Sequence, residues 1–385
     1  MTVYKRGNKW CFHFEMRVNG KREQYKRGGF DSRQAAAAAE RRKLSEIDGG
    51  ARIGAARMTV EDYLRGWLRR YERSGSRKRG TVVTTRGQVE LHLLPRIGGV
   101  TLSKLSRVKV QELVGDLHTE AGLSAKTVRN VIGTLNKALN DAVADGVLPY
   151  SPAAKVDLPK VKKPELATWS PLQVSCFLKF ADDERQPLAA AWWLVLTAGL
   201  RRGELCGLRW SDIDLLRGQV TVRKTRLQNR SGVWLDEPKS RKSRRTRTLH
   251  AGAVNALARL KNAHEELAAV VGDFGHDFVL VMPDDGRPVQ PQYVTRWWHR
   301  SIAAANRAGL QLAAIELPTM RLHDGRHVCF THAAEAGTPL HVIAAQAGHE
   351  SIVTTERFYL HATEAADAAA TQRHEQYLQQ ALRDA

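Results

Sequence analysis

Three hydrophobic periods divide this chain. Residues 4–30 alternate aromatic and polar side chains about Asn19-Gly20, the pattern of strands joined by a tight hairpin. Asp31-Ser32 then opens an alanine-rich helical stretch that stops at Gly49-Gly50. A small three-stranded sheet with one helix is therefore expected over 1–57. From Met58 onward the period lengthens to that of helices. Thr59, with Asp62 three positions on, resembles a capping box. A second helix is expected to start near Thr81 and to stop before Pro95, because proline cannot continue a helix. From Ser124 to about Asp145, Val128, Ile132, Leu135, Leu139 and Val143 recur at three- and four-residue steps, and Gly146 closes the helix. The segment LPYSPAAKVDLPKVKKPE follows, with four prolines and four lysines, and reads as an extended linker. Beyond it, Ser170 and Pro171 form an N-cap and first helical position. The expected division is 1–57, an all-helical 58–157, a linker at 158–164, and a larger part over 165–385. No internal repeat is visible.

Length and charge narrow the class. A chain of 385 residues is too long for one ordinary core. Its apolar and charged fractions, 43% and 26%, are those of a globular protein. A net charge of +20 and a pI near 10.1 are not ordinary, and call for a polyanionic partner. Nucleic acid fits; a membrane surface would want a basic amphipathic helix with aromatic anchors, which is not found. The longest apolar run, Leu188 to Leu200, is too short to span a bilayer and predicts a buried helix. The N-terminus shows no apolar stretch of signal-peptide length. Cys11, Cys176, Cys206 and Cys329 lack metal or disulfide spacing, which suggests a reducing compartment. The first 57 residues hold 14 Lys/Arg against 6 Asp/Glu, so they read either as a DNA-contacting module or as a solvated basic surface.

Three stretches carry candidate chemistry. In TAGLRRGELCGLRWSDID, Gly199 breaks one helix, and Arg201, Glu204 and Leu208 share a face of the next. A buried arginine there needs a carboxylate or a phosphate, and a local Arg201–Glu204 pair satisfies it as well as a bound phosphate would. Two alternating stretches flank Asn229 to Gly232, the pattern of a β-ribbon. Ten Lys/Arg and two acids lie between Arg223 and Arg247, so the ribbon suits a phosphate backbone, or is a solvated charge run. In TMRLHDGRHVCFTHAAEAG, His323 and Arg326 sit at i and i+3, with Val328, Phe330, Ala333 and Ala334 on the packed side. His323 and His327 are four apart, but Asp324 stands where a zincin helix has glutamate and no third ligand follows, so no metal is expected. Gly325, inside this helix, lowers its propensity by up to about 1 kcal/mol.

Taken in order, GLRRGEL, KSRKSRRT, HDGRH, AGHESI and TTERFYLH resemble the five motifs of the tyrosine recombinase (phage integrase) family, and the resemblance covers the whole chain. It implies a multidomain, mainly α fold with small β elements: an arm-type DNA-binding domain, a helical core-type DNA-binding domain, and a mixed α+β catalytic domain with a C-terminal tail helix. It also implies a site-specific recombinase that cleaves and rejoins DNA through a 3′-phosphotyrosyl intermediate, without a cofactor. The catalytic positions that carry over are Arg201, Lys239, His323, Arg326, His349 and Tyr359, with Glu204 as a prop. Lys242, three residues beyond Lys239, is the alternative lysine. DNA contacts are expected from Arg22, Lys26, Arg27, Lys126, Arg129, Arg241, Lys242, Arg244 and Arg245. Implied partners are double-stranded attachment sites, three further copies of the chain on DNA, a host DNA-bending protein and an excisionase. The implied location is the bacterial cytoplasm, at the nucleoid. The tail docks in trans on a neighbour or packs in cis. Two other functions stand beside it: a type IB topoisomerase-like enzyme with the same cleavage chemistry, and a catalytically silent sequence-specific DNA-binding protein of the same fold.

Overall fold

The computed structural model describes residues 2–18, 21–48, 58–161, 168–229, 232–237, 243–274, 276–309, 316–348 and 379. Lys239, Arg241, Lys242, His349, Tyr359 and, but for Gln379, the tail lie outside the described residues. The chain forms two compact units, Met1–Lys163 and Pro164–Ala385.

In the first unit, β1 (Thr2–Arg6), β2 (Lys9–Val18) and β3 (Lys21–Phe30) make one antiparallel sheet in that order. Helix α1 (Arg33–Asp48) follows, with the Ser32 hydroxyl accepting from the Ala35 amide at 3.0 Å. Phe12 and Phe14 are buried on one face of the sheet, with Tyr25 directly opposite Phe14. The other face carries Arg6, Lys9, His13 and Lys26 by register. The expected sheet-plus-helix is thus present.

The helical segment comprises α2 (Val60–Arg73), α3 (Arg79–Gln88), α4 (Leu94–Ile97), α5 (Arg107–Gly115) and α6 (Ala125–Ala144). Thr59 and Asp62 form the capping box, and Ser124 caps α6. Val128, Ile132, Leu135 and Leu139 are buried against Leu64, Trp67 and Leu93. One expectation fails: the helix does not stop before Pro95. A π-helical turn, Val89–Leu93, bridges α3 to α4, and the Leu94 amide donates to Val89. Proline lacks an amide and its ring crowds the carbonyl four residues back. The wider turn just ahead of Pro95 takes up that mismatch.

The second unit begins with α7 (Pro171–Asp183), where Ser170 and Gln173 form a capping box. The apolar run becomes α8 (Ala189–Ala198), buried nearly all round, as a helix without a polar face must be. Short α9 (Arg202–Gly207) follows. Then come β4 (Ile213–Asp214), β5 (Gln219–Val222), the hairpin β6 (Thr225–Asn229) and β7 (Gly232–Asp236), and β8 (Arg245–Thr248). One sheet runs β4-β5-β8 and another β6-β7. Helices α10 (Ala251–Val271), α11 (Pro291–Arg307), α12 (Leu322–Glu335) and α13 (Leu340–Ala347) complete the unit. Trp298 centres the core, with Trp169, Phe177 and Trp192 ring centroids 5.2–5.5 Å away. Among the described residues, no helix is long and apolar enough to cross a membrane.

Gly325 has a packing role that its propensity concealed. A β-carbon there would lie 2.9 Å from Val195 Cγ1, so glycine lets α12 lie against α8. Gly325→Ala should gain up to about 1 kcal/mol of helix propensity and lose about 1–3 kcal/mol to overpacking. A lower melting temperature is expected; a higher one would show that α12 has room to spare.

His264 gives the unit an acid-sensitive point. It is buried, its Nδ1 accepts from Trp210 Nε1 at 3.3 Å, and its Nε2 has no partner among the described residues. Burial first, and nearby His276 second, push its pKa down to about 4. The unfolded chain therefore binds the proton that the folded one refuses, and stability falls as pH drops from about 6.5 toward 4. Between pH 7.5 and pH 5 this residue should cost roughly 2 kcal/mol, at 1.36 kcal/mol per pH unit below 6.5. Melts of His264→Phe across that range should be flatter than wild type; parallel curves would refute the assignment.

Candidate active site

Two helix C-termini build the site. Helix α8 ends at Gly199, in the left-handed region at φ 65°, and α13 ends at Gly348, at φ 62°. A left-handed cap leaves the last carbonyls of a helix without helical partners and pointing outward, where they carry the negative end of the dipole. Glycine is required at 199 twice over, since a β-carbon would also meet the Phe330 ring at 2.6 Å.

Arginines fill both carbonyl sets. Arg326, on the first turns of α12, is 3% exposed; its Nη1 donates to the Gly199 carbonyl and its Nη2 to the Ala347 carbonyl. Arg201, the N-cap residue of α9, donates from Nη2 to the same Ala347 oxygen at 3.2 Å. Arg245 donates from Nε to the Gln346 carbonyl at 2.7 Å, and Arg247 from Nε to the Ala198 carbonyl at 3.3 Å. The period of two along β8 puts Arg245 and Arg247 on one side, opposite Val222 and Val220 of β5.

A single carboxylate organises the cluster. Glu204 accepts from Arg245 Nη1 at 3.0 Å and Nη2 at 2.9 Å, a two-bond fork, and from Arg201 Nη1 at 2.8 Å. Its second oxygen also takes the Arg201 amide at 2.8 Å, closing the first turn of α9. Burial pushes this carboxyl up, but the bonds and charge of Arg245, then the charge of Arg201, outweigh it and hold the pKa near 2. Burial first, then the charge of Arg201, press Arg326 down to about 9, still protonated at neutral pH.

The balance of charge matters more than any one bond. Arg201, Arg245 and Arg326 are three cations around one anion, leaving two positive charges. Their remaining bonds run to carbonyl oxygens, which fix the guanidiniums without neutralising them. Arg201 keeps a third of its side chain open, whereas Arg245 keeps 6%. The open edge of Arg201 is therefore where an anion can enter. His323, one turn before Arg326, is exposed on one side and meets His327 edge-on, with ring centroids 5.2 Å apart. Desolvation first, then His327, Arg326 and Arg201, push its pKa down to about 4, so it is neutral at pH 7.

The expected residues fare unequally. Arg201, Glu204 and Arg326 converge, and His323 lies beside them. Arg245, expected as a DNA contact, instead turns inward as a tether: Glu204, Gln346 and Ser243 take four of its five N–H donors. Arg244 is exposed and pairs with Glu237 at 3.1 Å. Lys26 and Arg27 are exposed on β3, and Arg22 lies on the same strand. Lys126 and Arg129 are exposed on the first turns of α6, and Arg129 donates to the Pro159 carbonyl at 3.1 Å. Beside Arg129 opens a groove lined by Tyr71, Thr81, Gln88, Asn130 and Lys137. The carbonyls of Gly199, Gln346 and Ala347, and the inward role of Arg245, were missed. The Arg-x-Arg alternation of β8 was the available signal.

Residues 170–366, just over half of the chain, match the phage integrase family. A "Tyrosine recombinase XerC-like" protein of Caldanaerobacter subterraneus subsp. tengcongensis is 25% identical over 353 residues, covering 86% of each chain. The "ICEBs1 integrase" of Bacillus subtilis is 26% identical over 249 residues, so that this chain spans 63% of its length. Among solved structures, the Tn1549 transposon integrase in complex with a circular intermediate DNA shares the fold, with a TM-score of 0.68 at 24% identity, over 82% of this chain and 99% of that one. The chain belongs to the phage integrase family of tyrosine recombinases.

Proposed function

We propose that this chain is the recombinase of an integrative mobile element, cutting and rejoining DNA strands through a tyrosyl–phosphate bond. The observation that carries the reading is the meeting of Arg201 and Arg326 on the Ala347 carbonyl, just ahead of Gly348-His349. A phosphodiester resists nucleophiles because it is an anion. Fixed, un-neutralised guanidiniums offset the charge that grows on its non-bridging oxygens as a fifth bond forms.

In this scheme Tyr359 Oη attacks phosphorus and the bond to the 5′ oxygen breaks. His323, neutral at pH 7, takes the phenol proton. Lys239 gives a proton to the departing 5′ oxygen, and His349 donates to a non-bridging oxygen. The 3′-phosphotyrosyl link conserves the bond energy, so a 5′ hydroxyl from another strand reverses the step without an energy source. Glu204 and Arg245 hold Arg201 and do not touch the phosphate. Exchange of two duplexes needs four such sites, hence four copies on DNA, and the protein is placed with the cytoplasmic DNA. A host bending protein and an excisionase belong to the same proposal. The basic surfaces at Lys26, Arg27, Lys126, Arg129 and Arg244 would track the phosphate backbone.

A nicked duplex carrying the element's end tests this. Wild type should give a covalent protein–DNA adduct that survives detergent, and should pass the strand to a second duplex. Arg326→Ala should slow adduct formation roughly 100- to 1000-fold. No adduct sinks the reading; adduct without transfer to the second duplex, together with relaxation of a supercoiled plasmid, favours a topoisomerase.

A further inference from the structure

Arg326 bonds two helices at once. Its Nη1 donates to the Gly199 carbonyl at the end of α8, and its Nη2 to the Ala347 carbonyl at the end of α13. The nitrogens of a guanidinium form a rigid fork, so both bonds form only at one separation of the two helix ends. Helix ends fray, and each of these passes into a left-handed glycine, where the chain pivots most easily. A third element must hold the gap.

Strand β8 reaches both ends. Arg245 Nε donates to the Gln346 carbonyl at 2.7 Å, one residue before Ala347. Arg247 Nε donates to the Ala198 carbonyl at 3.3 Å, one residue before Gly199. The same atom of two arginines, on one side of one strand, thus takes the matching carbonyl of each helix. Alternate Cα atoms of a strand lie about 7 Å apart, and this strand is paired with β5 from Arg245 to Thr248, so the spacing is fixed.

The two tethers differ in what else holds them. Arg245 is also forked onto Glu204. Arg247 is partly buried, and its electrostatic neighbours are Cys329 and Arg245. A half-buried strand position ordinarily suits an apolar β-branched residue, and a charge there carries a desolvation cost. The bond to Ala198 is what an apolar residue could not supply.

We infer that Arg247 is a positioning residue for Arg326: together with Arg245 it makes β8 the spacer between the ends of α8 and α13, at the gap that one guanidinium bridges. This rests on the reading of Arg326 as the clamp on the reacting phosphate. Misplacement by about 1 Å can cost on the order of a hundredfold in rate.

The test uses the full-length protein and two nicked duplexes. One has an ordinary phosphate at the cleaved bond. The other has a methylphosphonate, in which a methyl group replaces one non-bridging oxygen and removes its charge, so a guanidinium has less to offset. Arg326→Ala, slow on phosphate, should come within about tenfold of wild type on methylphosphonate. Arg247→Met, similar in length but without a donor, should slow adduct formation on phosphate roughly 10- to 100-fold while binding DNA within about twofold of wild type. On methylphosphonate it should cleave within about threefold of wild type. Arg247→Gln should recover the phosphate rate to within about threefold of wild type, because its side-chain nitrogen follows Cδ as arginine Nε does and only the charge is lost. Should Arg247→Met fail to fold, Arg247→Val, which suits a strand, takes both duplexes. A normal phosphate rate for the apolar variant, an equal deficit on both duplexes, or a glutamine variant as slow as the apolar one overturns the inference. An equal deficit of Arg326→Ala on both duplexes overturns instead the clamp reading beneath it, and no adduct from wild type on phosphate overturns the function itself.

Discussion

Tyr359→Phe should bind nicked duplex like wild type and form no covalent adduct at any time. The substitution deletes one oxygen, the atom that would bond to phosphorus, and leaves an aromatic ring of nearly the same size. Loss of a nucleophile costs on the order of a millionfold in a well-studied hydrolase, which here means no detectable product. The phenol's normal pKa near 10 leaves about one part in a thousand ionised at neutral pH, so the hydroxyl must act with a proton acceptor beside it. His323, neutral at pH 7 with its pKa pressed down to about 4, is the acceptor proposed for that task. Gel mobility of the complex and a detergent-resistant band measure the two halves of the expectation. A full-strength band from the phenylalanine variant would move the nucleophile elsewhere in the chain.

Glu204→Ala should cost about 3–5 kcal/mol of stability and nearly all activity, the largest effect expected of any residue that does not touch DNA. Glu204 is the only carboxylate in contact with Arg201 and Arg245 among the described residues. Without it, Arg245 remains charged, 6% exposed and short of its two strongest bonds. Arg201 loses the Nη1 bond that points it toward the Ala347 carbonyl. Glu204→Gln should do little better, because the amide turns an NH₂ group toward guanidinium donors. Removing both charges, Glu204→Leu with Arg245→Met, should recover most of the melting temperature, since a buried ion pair exchanged for apolar packing is often neutral. It should not recover cleavage, because Arg201 stays untethered. Denaturant unfolding and adduct yield separate the two. An unchanged midpoint for Glu204→Ala would mean that the cluster does not depend on its carboxylate. The pH response has a defined sign: a carboxyl held near 2 adds stability above its unfolded pKa of about 4.5, lost as pH falls toward 2.

Much of this protein could be read from local pattern. Alternation about Asn19-Gly20 marks the first sheet, and the three- and four-residue steps from Val128 to Leu139 mark α6, because period alone decides which face is buried. The caps at Thr59, Ser124 and Ser170 are equally local. Pro95 misled because its effect depends on the turn before it: a π-helical turn lets the chain carry a proline that an α-helical turn would reject. Gly325 misled for a similar reason, since its cost lies in its own helix and its use lies on α8.

By itself, the sequence determined the fold class, the basic character and the chemistry-bearing residue types, with Arg201, Glu204, His323 and Arg326 among them. All of these follow from neighbours within about one helical turn or from the order of motifs. Tertiary structure alone decided how the arginines are held: Arg245 turned inward onto Glu204, and Arg326 and Arg201 joined on one carbonyl from a helix that follows in the chain. A carbonyl oxygen is the same in every residue, so no side-chain pattern announces which ones will be left open. Only the packing of two helix ends against a strand places those dipoles where fixed positive charge can gather without being cancelled.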